Sequence, residues 1–182
     1  MQKGVVKSVI EKENSHNRMI KKIRFGEEEY FLKLAEALHL RADLQKRIAQ
    51  TGARLKLNAK VQEGDNPSED PIELLGELNR DTQKLQELIS QINMTNSKTE
   101  SEGVTLTEMI ARKDVLGLKI SVLREFLQVA SEKVERYSNK EIRIVSTVNV
   151  RDLQKQVDDL SQELRILDVK IQSLNWTVDL IE

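Results

Sequence analysis

Apolar residues recur at steps of three and four positions along most of the chain beyond residue 31. A repeat of this kind keeps one face of a helix turned toward a neighbouring helix, which is the seam of a coiled coil. The most regular series comprises Val150, Leu153, Val157, Leu160, Leu164, Leu167, Ile171, Leu174 and Val178. The pattern predicts an all-α fold, either an antiparallel helical bundle or long coiled-coil hairpins.

Three shorter series precede it, and together the four predict helices over about residues 33–61, 71–95, 106–137 and 150–175. Capping signals agree with three of these starts. Asp70 stands before Pro71, a residue suited to the first helical position. Thr105 and Glu108 have the spacing of a capping box, and Asn149 is placed to cap the fourth helix.

A short β-branched run, Ile142–Val148, lies between the third and fourth helical patterns. It is too short for a helix and rich in valine and isoleucine, so it predicts a strand. A strand requires a partner, and the candidates are the loop at residues 98–104 or a second chain. The expected fold is therefore all-α with a minor β insertion near 142–148.

Composition changes near residue 31. Up to Arg24 lysine and arginine outnumber the acids, and Phe25, Tyr30 and Phe31 bring aromatic side chains that are scarce elsewhere. This segment has no long apolar period, so residues 1–31 are expected to be a disordered N-terminal extension, or else a basic arm for an anionic partner. Residues 32–182 are expected to form a single helical domain.

The overall composition suits long helices better than a wide globular core. Of 182 residues, 32% are charged and 3% aromatic, with 29 basic against 30 acidic side chains. Cysteine is absent, which excludes disulfides and thiolate chemistry, and only His16 and His39 offer an imidazole. The sequence shows no nucleophile motif and no phosphate-binding glycine loop. We predict a non-enzymatic protein without cofactor or metal.

No run of apolar residues approaches the ~18 that a transmembrane helix needs. Near the start of the chain, Lys7 interrupts the one apolar run, which excludes a secretory signal there. These features predict a cytoplasmic protein.

Lys113 stands at a seam position where leucine is expected, with Asp114 beside it. A polar residue at such a position often fixes the register or the number of partners. The functional alternative is a polar pocket in the bundle core, which Asn93, Asn96 and Arg124 would join. These five residues are the candidate site.

Charge is uneven between the helices. The first helix carries Lys33, Arg41, Lys46, Arg47, Arg54, Lys56 and Lys60 against only Glu36 and Asp43, whereas the fourth is acidic. Two readings are open. The basic helix lies against acidic ones, since flanking charges select partners in coiled coils, or its face at residues 33–61 binds RNA backbone.

Several short stretches resemble the septicolysin-like family of small bacterial helical proteins. They include Leu32-Lys-Leu-Ala-Glu-Ala-Leu38, Asn58-Ala-Lys-Val-Gln-Glu-Gly64, Ile92-Asn-Met-Thr-Asn96, Arg136-Tyr-Ser138 and Val145-Ser-Thr-Val148. The resemblance spans residues 32–182. The name of the family implies a membrane-active, pore-forming protein, and the resemblance implies no catalytic residues. Lys113 departs from the family, where arginine is expected.

The same resemblance suggests where translation begins. The family pattern opens with Met-Lys-Leu-Ala-Glu-Ala-Leu, and this chain has leucine at position 32 instead of methionine. We hypothesise that Leu32 is the true start, encoded by TTG, and that Gly26-Glu-Glu-Glu29 is a translated ribosome-binding site. Residues 1–31 would then be untranslated leader.

Taken together, the sequence predicts a cytoplasmic coiled-coil protein that acts by self-association or by binding a protein partner through its helical faces. A membrane-active, pore-forming function is the alternative. RNA binding through the basic helix at residues 33–61 is the third.

Overall fold

A computed structural model describes residues 22–25, 28–132 and 145–181. Within them lie four helices: α1 (Leu34–Leu57), α2 (Pro71–Lys98), α3 (Leu106–Ser131) and α4 (Val150–Thr177). The predicted all-α fold is confirmed. The helices begin within a residue of their predicted starts, while α1 ends earlier than expected, at the buried cap residue Asn58.

The helix starts have the predicted caps. The Ile72 amide donates to Asp70 Oδ1 at 2.8 Å. Thr105 and Glu108 form the capping box, with the Glu108 amide 3.2 Å from Thr105 Oγ1. The amide of the second α4 residue donates to Asn149 Oδ1 at 3.1 Å. Each cap satisfies an amide that has no partner inside its own helix.

The minor β structure is present, but not where it was expected. The strands are β1 (Lys22–Phe25) with β2 (Glu28–Phe31), and β3 (Glu100–Ser101) with β4 (Val104–Thr105). The prediction for Ile142–Val148 is wrong over residues 145–148, and residues 142–144 lie outside the described residues. The Ser146 hydroxyl donates to the Val148 carbonyl at 3.0 Å, which bends the backbone locally in place of strand pairing.

The pairing of β1 with β2 is antiparallel, with Lys22 opposite Phe31 and Phe25 opposite Glu28. Isoleucine and aromatic residues in these runs favour extended backbone. Residues 22–25 and 28–31 are therefore paired strands, whereas residues 1–21 lie outside the described residues. The assignment of residues 1–31 as an extension or leader stays a prediction.

The chain divides into two compact units, unit 1 (Met1–Ser101 with Leu174–Glu182) and unit 2 (Glu102–Ser173). The single domain over residues 32–182 stays a prediction. In unit 1, α1 and α2 pack as an antiparallel pair. Arg47 bonds Asp81, whereas Arg54, further along α1, bonds Glu77, further back on α2. The buried apolar side chains of unit 1 are Leu32, Leu34, Ala35, Ala37, Leu74, Leu88, Ile92, Leu180 and Ile181.

The C-terminal tail belongs to the core of unit 1. The Leu180 amide donates to the Leu32 carbonyl at 2.7 Å, so the tail pairs with the segment that precedes α1. The Ile181 amide donates to the hydroxyl of Thr95, a residue with no exposed surface, at 3.0 Å. Leu180 is itself fully buried. The tail therefore closes one end of the α1–α2 pair.

In unit 2, α3 and α4 run antiparallel. Lys113 bonds Asp168, and Arg124, further along α3, bonds Ser161, further back on α4. The buried apolar side chains are Leu106, Met109, Leu116, Ile120, Val157 and Ile171. Val157 and Ile171 belong to the apolar series predicted for the fourth helix, so that series marks a packed face of α4. No described helix has an apolar stretch long enough to cross a bilayer.

Candidate functional site

Lys113, the polar residue in the α3 seam, forms an ion pair across unit 2. Its Nζ lies 2.5 Å from Asp168 Oδ1 on α4. The hydrogen bond from Lys113, together with its positive charge, holds the pKa of Asp168 below its ordinary value, although desolvation acts in the opposite direction. A charge at this seam position is therefore matched by a charge on the facing helix, which supports a role in register.

The other candidate residues do not gather around this pair within unit 2. Arg124 lies eleven residues from Lys113, roughly 16 Å along the helix, and donates to Ser161 Oγ at 3.0 Å. Arg124 lines a hollow of about 390 Å³ that neither Lys113 nor Asp114 reaches. Asp114 is exposed. Within unit 2, Lys113 and Arg124 therefore make separate contacts and do not line one common pocket.

The two asparagines of the candidate site lie on α2, in unit 1. Asn93 is exposed and Asn96 is half-buried. Neither caps the end of α2, where the Thr99 amide donates to the Thr95 carbonyl at 2.9 Å. Their role in a pocket stays a prediction.

A charged groove of about 660 Å³ runs between α1 and α2 in unit 1. Arg54 is one of the residues that line it. Its guanidinium pairs with Glu69, and its Nη1 lies 3.1 Å from Glu77 Oε2. The Arg54 hydrogen bond lowers the pKa of Glu69, and Glu69 raises the pKa of Arg54 in turn. Arg47 pairs with Asp81 at 2.7 Å beside them. Basic side chains of α1 thus meet acids from the next helix and its preceding loop.

These paired carboxylates predict a loss of stability in acid. A carboxyl whose pKa is lower in the folded state stabilises the fold above its unfolded pKa, and this contribution disappears as pH falls through the folded value. Because Asp168 and Glu69 both have lowered pKa values, we expect the urea midpoint to be constant above about pH 5 and to fall below about pH 4. Asp168→Asn should reduce that fall, and an unchanged pH profile in this variant would contradict the assignment.

A row of exposed apolar side chains runs along α3 in unit 2. We name it the α3 stripe, and it consists of Val115, Leu118, Val122, Phe126 and Val129. Their exposed fractions range from 45% to 68%. Single exposed apolar residues are ordinary, but a contiguous row of several hundred Å² on one protein is commonly functional.

The α3 stripe lies on a different face from the packed seam. At 3.6 residues per turn its centre is about 140° around the helix from the buried Leu116 and Ile120. α3 is therefore apolar on two faces, and the described residues of unit 2 cover only one of them. The seam pattern alone does not predict this second face. The recurrence of Val115, Val122 and Val129 at steps of seven is a sequence signal that could have predicted it.

Over the described residues, the packing and the site define a mainly helical protein with paired antiparallel helices and an uncovered apolar face on α3. A model of a family described as "Family of unknown function (DUF6847)" matches residues 41–180, and the chain belongs to that family. The chain is also similar to a solved structure, that of a functionally unknown conserved protein from Corynebacterium diphtheriae. The two share 40% sequence identity with a TM-score of 0.74, over 83% of this chain and 99% of that one. Comparison with curated proteins found no match.

Proposed function

We propose that this protein is a non-enzymatic cytoplasmic module that acts by self-association through the α3 stripe. The observation that carries the proposal is the second apolar face of α3, exposed over four turns while the first face packs against α4. A helix that is apolar on two faces is typically buried on both faces. Covering the α3 stripe would remove its valine, leucine and phenylalanine side chains from water, which is the main driving force for association.

The charges around the α3 stripe favour a protein over a membrane as its occupant. Helices that lie on anionic lipid carry lysine and arginine on their polar face. The polar positions of α3 include Glu108, Asp114 and Glu125, together with Arg112 and Lys119. Mixed charge of this kind suits a protein surface, so the pore-forming function implied by the septicolysin-like resemblance ranks second.

The contacts of α1 weaken the case for RNA binding. Lys33 pairs with Asp179 at 2.6 Å, and Arg47 and Arg54 pair with acids of the α1–α2 groove. Basic side chains that already neutralise acids release fewer counterions from a nucleic acid, which reduces affinity. The basic helix is better explained by its acidic neighbours.

Sedimentation equilibrium tests the proposal. We expect the wild-type protein to associate reversibly in the micromolar range, and Val122→Glu to weaken the association at least about 100-fold, because it would bury a carboxylate in an apolar contact. Val122 is 57% exposed, so the variant should keep its helical circular dichroism.

The matched control is Val169→Glu, the same change at a 69% exposed position on α4. It should associate like the wild type. A wild-type protein that stays monomeric to about 100 μM would overturn the proposed function. Equal loss of association in both variants would show that α3 is not the specific contact.

A further inference from the structure

We infer that the partner of the α3 stripe is the α3 stripe of a second copy, with the two helices parallel and related by a two-fold axis along them. This inference rests on the proposed function and adds the identity and direction of the partner. A two-fold arrangement places the same residues of both copies in contact and closes the assembly at two chains. It is supported by residue type, by charge and by two flanking side chains that have no ion-pair partner among the residues that the structure describes.

Residue type follows the rule for parallel two-stranded coiled coils. Val115, Val122 and Val129 are seven residues apart and occupy the first position of the heptad, and Leu118 occupies the fourth. Among parallel coiled coils, β-branched residues at the first position with leucine at the fourth favour two strands, so these residue types suit a parallel pair. Glu125 takes the next fourth position, so a parallel pair places Glu125 opposite its own copy, and the neighbouring Phe126 supplies an apolar contact beside it.

Charge divides the two edges of the α3 stripe. One edge carries Lys119 and also Arg112, which already pairs with Glu163 of α4, and the other carries Asp114 and Glu132. In a parallel pair each edge lies against the opposite edge of the other copy, so basic side chains meet acidic ones. In an antiparallel pair each edge lies against itself, so like charges meet.

One pair of residues has the spacing that a parallel coiled coil requires. Asp114 precedes the first heptad position at Val115, and Lys119 follows the fourth at Leu118, so the two are the flanking positions that meet between parallel helices. Within the part of the chain that the structure describes, neither Asp114 nor Lys119 has an ion-pair partner. In a pair of chains, Asp114 of each copy would meet Lys119 of the other, so the contact would occur twice.

Disulfide trapping tests the direction of the helices. The chain has no cysteine, so a single introduced thiol reports on one position without background. In a parallel pair, Val115→Cys faces its own copy, as does Val129→Cys, and the two thiols are within disulfide reach. We expect each variant alone to form a disulfide dimer on mild oxidation. An equal mixture of the two should form only these separate dimers, because positions 115 and 129 of a parallel pair lie about 21 Å apart.

An antiparallel contact would give the reverse result. Only the mixture of Val115→Cys and Val129→Cys would then crosslink efficiently, which would overturn the parallel arrangement and leave self-association intact. Association in sedimentation without crosslinking at Val115, Val122 or Val129 would overturn the α3 contact itself. A monomeric wild-type protein would remove the proposed function and this inference together.

A charge exchange gives a second, independent test in the uncrosslinked protein. Asp114→Lys places two lysines together across a parallel pair, and Lys119→Asp places two acids together. Each is expected to weaken association about 5- to 10-fold at low salt, while the double variant with exchanged charges should return to within about 3-fold of the wild type. Additive weakening in the double variant would show that Asp114 and Lys119 do not meet.

Discussion

Leu180→Ala is expected to lower the free energy of unfolding of unit 1 by about 2–5 kcal/mol, the usual range for deleting a fully buried leucine side chain. Leu180 has no exposed surface, and its amide is bonded to the Leu32 carbonyl. The substitution leaves a cavity at the end of the α1–α2 pair, beside the segment that precedes α1. The change in stability is measured by urea unfolding, followed by the fluorescence of Trp176. The ring centroid of Trp176 lies 6.3 Å from that of His39 on α1.

Leu57→Ala is the matched control, because it deletes the same atoms in the same unit at a position that is 81% exposed. We expect its effect to stay within about 0.5 kcal/mol. If the two substitutions shifted the urea midpoint equally, the tail would not belong to the core of unit 1.

The second large effect is expected in unit 2. Leu106→Ala removes a side chain without exposed surface from the first turn of α3 and should destabilise unit 2 by about 2–5 kcal/mol. Leu118→Ala, on the same helix, deletes the same group at a 68% exposed position. Circular dichroism during urea unfolding, at a concentration where the chains are separate, should show a change of less than about 0.5 kcal/mol for Leu118→Ala.

Comparing Leu106 with Leu118 also separates folding from association. We expect Leu106→Ala to weaken the fold at every concentration, whereas Leu118→Ala should weaken only the contact between copies. A large loss of stability for Leu118→Ala in the separated chains would mean that the α3 stripe is packed within the chain.

The helices could be predicted because their signals are local. Apolar steps of three and four residues identify the packed face, and side chains such as Asp70 and Thr105 bond amides two or three residues away. The strand near 142–148 could not be judged in the same way. Whether a β-branched run pairs depends on a distant partner, and here the local bonds of Ser146 prevail over residues 145–148.

The candidate site was predicted less well than the fold. Lys113 was noticed because lysine in an apolar seam is unusual, but its partner Asp168 lies 55 residues away and has no local signal. The α3 stripe was missed because one apolar face was enough to explain the helix. Only the exposure of Val115 and Val122 shows that a second face stays uncovered.

By itself, the amino-acid sequence determined where each helix begins and which of its faces is apolar, since both depend on residues within a turn or two of one another. The tertiary structure alone decided that the C-terminal tail fills the end of the α1–α2 pair, that Lys113 meets Asp168, and that one face of α3 is left exposed. The physical reason is that burial and charge pairing depend on side chains far apart in the chain, whose proximity no local pattern records.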